Sequence, residues 1–260
     1  MSSDASESST PMPSAKDIAN LFLELGRRSF GEAGSITNLK LQKLLYYAQG
    51  YHLAMVSRPL FFERIEAWDH GPVVREVYHE CKKFGGNPIP AVQGFDPVFL
   101  GEHVCRFVED VHADRGGFTA WNLREMTHAE RPWQEAFVPK QNEEIPLERL
   151  QGYFTERFSR ELVDLADSED VTLRELLAEH GNLPIIIHLA RRELNARFGP
   201  DAQMSLRSRI DPEDGDRYAA LTVLTVRRPE EAAALRDAFD DAWWLDRAGM
   251  APLVINFELV

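Results

Sequence analysis

Over the first 140 positions, apolar residues recur at helical spacing between Gly- and Pro-rich breaks. From Ala15, the run Ile18, Leu21, Phe22, Leu25 predicts a helix ending near Gly26. After the break "GEAGS" (31–35), "ITNLKLQKLLYYAQGYHLAMV" predicts a second helix capped by Thr37. Its stripe is Leu41, Leu44, Leu45, Ala48 and Tyr51 or His52. Lys40 and Lys43 flank that stripe, and Tyr46 and Tyr47 widen it, so this helix is expected to be the most buried of its domain. "PLFFERIEAW" breaks the periodicity and reads as a short extended or irregular segment. In "DHGPVVREVYHEC", Gly71 and Pro72 suit the cap and first position of a helix whose face is Val73, Val74, Val77, Tyr78 and Cys81. Further helices are expected through Val104–Val111, from a Thr119 cap through "AWNLREMTHAE", in "RPWQEAF", and in "IPLERLQGYFTERFSRELVDLAD".

Beyond that point the texture changes. "TLRELLAEH" and "LPIIIHLARRELNARFG" keep helical spacing. "AQMSLRSRI" and "RYAALTVLTVR" alternate or run β-branched around the loop "DPEDGD", which predicts a hairpin. A capped helix, "PEEAAALRDAFDDAWWLDRAG", and a closing strand, "PLVINFELV", complete the chain. The fold class is α+β: a mostly helical N-terminal domain, then a small α+β domain with its helix on an antiparallel sheet.

Charge sharpens the division. Residues 1–140 carry 15 basic and 18 acidic side chains, whereas residues 141–260 carry 14 and 24, and no lysine follows Lys140. The domains expected are a disordered tail (1–14), a helical domain (15–166) and an acidic α+β domain (167–260). A net charge of −13 argues against binding nucleic acid or anionic membrane, since both need a cationic surface. No apolar run reaches membrane-span length and no signal pattern opens the chain, so a cytoplasmic location is expected.

Candidate chemistry is sparse. His79/Cys81 and His103/Cys105 repeat a His-x-Cys spacing, but residues two apart on a helix point about 200° from each other, so neither pair alone can grip one metal ion, and only a site using Cys81 with Cys105, or crossed pairs, stays open. His128 and Glu130 have the His-x-Glu spacing of zinc deaminases without the Pro-Cys-x-x-Cys partner. His128 is expected instead to end a helix and hydrogen-bond a carbonyl or side chain. Asp69 and His70 adjoin no nucleophile elbow, and Arg75 is placed to pair with Asp69 or Glu66. The run Asp211–Asp216 lacks the full ligand pattern of a calcium loop. Trp243 and Trp244 cannot both point inward, which leaves one as a partly exposed anchor. No cofactor, metal or catalytic residue is assigned.

Three blocks, "LKLQKLLYYAQGYHLA" (39–54), "EAWDHGPVVREVY" (66–78) and "LREMTHAERPWQEA" (123–136), resemble the Panacea domain family, the SocA-like antitoxins and their phage-associated relatives. "IPLERLQGYF" (145–154) is similar to the family's closing helix, so the resemblance runs from about Ala15 to Phe154. His70 stands where tyrosine is equally expected, so the resemblance gives its imidazole no chemistry. The family implies a non-enzymatic antitoxin that neutralises a protein toxin, encoded by a neighbouring gene, through direct contact. On that reading Lys40, Lys43, Tyr47, Trp68, Asp69, His70, Arg75, His128 and Trp133 are the expected binding residues. Two other readings stay open: an adaptor that delivers a bound partner to a protease, and an enzyme built around His70, His128 and Glu130.

Overall fold

The computed structural model describes residues 12–30, 36–162, 165–166, 169–199 and 202–259. The expected tail, up to residue 11, and the "GEAGS" break lie outside them. The chain divides into two compact units, residues 1–53 with 58–150 and residues 54–57 with 151–260.

The first unit is built around α2 (Asn38–Val56). Thr37 caps it as expected: its hydroxyl accepts the Lys40 N–H at 3.3 Å. Leu41, Leu44, Leu45, Tyr46, Tyr47, Ala48 and Tyr51 are fully buried, but so are the polar residues around them. A helix buried on all sides must satisfy those polar groups internally. Lys40 gives its ammonium to Gly116 O at 2.6 Å, and Gln49 bonds the backbone of Leu60 and Phe61. Lys40 and Lys43 therefore do not flank a solvent face.

Helix α1 (Ala15–Phe30) starts in a reciprocal cap between Ser14 and Asp17. It runs past Gly26 rather than ending there. A Cβ on Gly26 would stand 2.7 Å from Ile36 Cδ1, so this glycine serves close approach, not termination. Also in this unit are α3 (Arg75–Cys81), α4 (Glu102–Arg115), α5 (Ala120–His128), α6 (Arg131–Ala136) and the start of α7 (Leu147–Glu161). α1 packs on α3 and α4. The Thr119 cap holds, with its hydroxyl accepting Asn122 N–H at 3.1 Å.

The helix expected to begin at Pro72 begins three residues later. Gly71–Val74 forms β2, antiparallel to β1 (Ile65–Trp68), with Trp68 opposite Gly71 and Asp69-His70 as the turn. Val73 and Val74 are β-branched and wholly interior, which suits a strand, and β1 gains a second neighbour where Ala67 N–H reaches Glu143 O. α5 packs on β2 and α6 on β1.

The second unit holds α8 (Val171–Glu179), α9 (Leu183–Phe198), β3 (Gln203–Ile210), β4 (Arg217–Thr225), α10 (Pro229–Phe239) and β5 (Leu253–Leu259). β3 and β4 form the expected hairpin. β5, however, joins β4 in parallel, giving a mixed sheet in the order β3-β4-β5. The reason is the connection: β4, α10 and β5 form a helical crossover, which returns the chain to the same end of the sheet. α10 packs on α9 and β5, with Phe198, Phe239 and Trp243 in the core, while α8 covers β3 and β4. Trp243 points inward and Trp244 is half-buried beside it.

Candidate binding site

A pocket of about 500 Å³ opens in the first unit between the N-terminal half of α2, the β1–β2 turn, α3 and the start of α5. Its floor is a set of hydrogen bonds from α2 to neighbouring backbone. Asn38 Nδ2 donates to Tyr78 O at 3.2 Å, and Gln42 Nε2 donates to Asn38 Oδ1 at 3.0 Å. Gln42 Oε1 accepts the Val74 N–H at 2.9 Å, and Lys43 Nζ donates to Pro72 O at 2.9 Å. Residues 38 and 42 are one helical turn apart; Gln42 and Lys43 supply partners to β2 backbone at Val74 and Pro72, while Asn38 ties α2 to α3 at Tyr78.

Lys43 is closed to water, and burial, aided by Arg124, holds its amine well below the usual lysine pKa. It fits under the turn because residue 71 is glycine. With φ at +93°, a Cβ there would stand 2.8 Å from Lys43 Nζ and 2.9 Å from Thr127 Oγ1.

The walls are aromatic. The Trp68 ring lies 4.9 Å from Tyr78, and its indole N–H donates to Glu66 Oε2, which leaves Glu66 Oε1 to face Arg75 at 3.6 Å. Trp121 is 60% exposed at the rim, with the Arg124 guanidinium 4.7 Å above its ring. Asp69, His70 and Lys82 are exposed around the opening.

Behind the hairpin, His128, Trp133 and Phe137 stack, at 3.9 and 4.5 Å between successive ring centroids, and the Trp133 indole donates to Trp68 O at 3.0 Å. His128 does not make the hydrogen bond expected of it through Nε2, which is buried without a partner. Burial, then Arg124 and Lys43, lower its pKa to about 4. Glu130 lies in the core, where its carboxylate accepts Tyr46 OH at 2.8 Å and Tyr47 OH at 3.1 Å.

Of the nine residues expected to bind, Lys43, Trp68, Asp69 and His70 meet at this pocket, with only the latter two fully presented to solvent. Arg75 sits on the outer surface against Glu66. His128 and Trp133 brace the hairpin from behind, and Lys40 and Tyr47 are interior elsewhere. The enzyme cluster does not assemble: His70 is exposed, His128 faces Trp133, and Glu130 faces two tyrosines. Among the described residues, no group of three or more His, Cys, Asp or Glu is arranged to hold a metal, and no helix is long and apolar enough to cross a membrane.

Sequence reading missed Trp121, Tyr78, Asn38 and Gln42. For Trp121 a signal existed. It lies two positions before Leu123, about 200° around α5 from the buried Leu123–Thr127 face. The α2 amides carried no such signal, because beyond their own i,i+4 pair their partners are distant backbone groups.

Residues 41–134, which include most of α2, the hairpin and helices α3 to α5, match the family described as "Antitoxin SocA-like, Panacea domain". Over 64 residues the chain is 44% identical to Antitoxin SocA of Caulobacter vibrioides (strain NA1000 / CB15N). That alignment covers 25% of this chain and 32% of the relative, so it spans about a third of the relative's length. No solved structure matches. The resemblance carried by the three sequence blocks is borne out over this region; the matched residues all precede the second unit's helices and sheet.

Proposed function

We infer that this chain is an antitoxin-like protein that neutralises a cognate protein toxin by direct, non-catalytic contact in the cytoplasm. The observation that carries this reading is the location of the match: it covers the same helices and hairpin that form the aromatic-walled pocket. The contact surface is the pocket rim, where Trp121, Asp69, His70 and Lys82 reach solvent over a floor of internally bonded groups. An exposed tryptophan beside a guanidinium is a typical anchor for a protein partner. Lys43, Tyr47, Lys40 and Trp133 contribute by holding that surface in shape. Residues 15–166 then form the neutralising domain, and residues 167–260 a second domain with a role of its own.

The test is a growth assay on the protein encoded next to this one, expressed alone and with this chain. Growth arrest that co-expression relieves supports the reading, and a chain cut at residue 166 locates the activity. Arrest by this chain alone, with a harmless neighbour, overturns it.

A further inference from the structure

Strand β5 is an edge of the second unit's sheet. β4 pairs with it on one side, and no described strand lies on the other. The opposite edge of the sheet is covered: Leu206 N–H donates to Leu165 O, and the Asp170 carboxylate takes both the N–H and the hydroxyl of Ser208. Proteins usually blunt a bare edge with lysine, proline, a bulge or a very short strand. β5, "LVINFEL", is 7 residues long, contains no lysine or proline, and has Glu258 as its one charge.

The outward peptide groups can be assigned. Pro252 O accepts the Ala219 N–H, so even-numbered residues turn their backbone groups to β4. Ile255, Phe257 and Leu259 turn theirs to the open edge. Their side chains follow the same parity. Phe257 packs 5.4 Å from Phe198 and 6.3 Å from Phe239, while Ile255 is half-buried and Leu259 is 54% exposed. Val254, Asn256 and Glu258 are exposed on the other face.

On the face that carries Leu253, Ile255, Phe257 and Leu259 the strand reads apolar in both directions from Asn256, and on the other face Val254 stands at the mirror position of Glu258. A two-fold contact uses one patch twice and must be complementary to itself. We propose that β5 pairs antiparallel with β5 of a second copy of this chain, with the two-fold axis at Asn256, joining two three-stranded sheets into one. Ile255 then exchanges N–H and C=O with Phe257 of the second copy, and Leu253 faces Leu259. Asn256 faces its counterpart, and each Glu258 faces Val254, so the two carboxylates never meet.

The register makes two exposed positions respond in opposite ways. In sedimentation of the full chain across a wide concentration range, the wild type is expected to show a reversible monomer–dimer equilibrium. Asn256→Lys sets two like charges directly opposite and weakens the dimer by at least about tenfold. Val254→Lys sets a lysine opposite Glu258 in both halves, tightens the dimer at low salt, and loses that gain as salt is added. Circular dichroism checks that both variants fold. A wild type that stays monomeric at every concentration overturns the proposal, even if the edge takes a strand from a different protein. So does a dimer indifferent to both substitutions, or one that Val254→Lys weakens as much as Asn256→Lys.

Discussion

The Lys43 ammonium donates to the Pro72 carbonyl oxygen at 2.9 Å from a position wholly out of water, beneath the turn that exposes Asp69 and His70. A buried amine held by a backbone carbonyl is an expensive way to hold a strand, and its value lies in shape as much as in the bond. Lys43→Ala removes both and leaves a cavity, so a loss of about 2–4 kcal/mol is expected in denaturant unfolding. Lys43→Met keeps the stem and removes the desolvated charge, and should cost about 1 kcal/mol or less.

Gly71→Ala meets two obstacles at once, the positive φ and the contact of 2.8 Å with Lys43. The expected loss is about 2–3 kcal/mol, with the hairpin displaced from α2. Combining Gly71→Ala with Lys43→Met relieves little, since the backbone strain and the clash with Thr127 persist. Unfolding curves of the two variants check this.

Glu130 ties Tyr46 and Tyr47 together in the core of the first unit. Glu130→Ala leaves two buried hydroxyls without their acceptor and should cost about 2–4 kcal/mol, whereas Glu130→Gln keeps one acceptor oxygen and costs less. Equal losses in thermal unfolding would mean the hydroxyls find other partners.

His128 stays neutral in the folded protein down to a pKa of about 4, below the ordinary histidine value of 6.5. Between those values the unfolded chain binds the proton and the folded chain does not, so stability falls as pH falls through that window and levels below it. His128→Phe, which preserves the stack on Trp133, should flatten the dependence of Tm on pH between about 6.5 and 4. Glu24, held at about 2 by Arg27 and Arg28 against a partial burial effect, acts lower, with its contribution lost as pH drops from 4.5 towards 2.

Trp121→Ala separates binding from folding. The ring is 60% exposed, so stability should move by about 0.5 kcal/mol or less, while affinity for the toxin partner proposed above is expected to fall about tenfold or more. Calorimetric titration with the purified toxin reads the second effect, and unchanged affinity removes Trp121 from the interface.

What the sequence determined by itself was local. Caps at Thr37 and Thr119, the stripes of α1, α2 and α4, and the 211–216 hairpin loop all depend on residues within a few positions of one another. Three-block similarity also located the domain, because those blocks carry the residues that pack α2 against the hairpin. Only the tertiary structure decided the rest. Lys40 and Lys43 occupy positions of α2 that would be solvent-facing on a lone amphipathic helix, and they are interior because Gly116 O and Pro72 O, distant in sequence, come to meet them. Gly71-Pro72 is a sound helix start on propensity, yet β1 and the backbone at Glu143 supply sheet partners that make it a strand. The parallel placement of β5 depends likewise on where α10 packs. In each case the deciding partner is far away in the chain, and no local pattern records it.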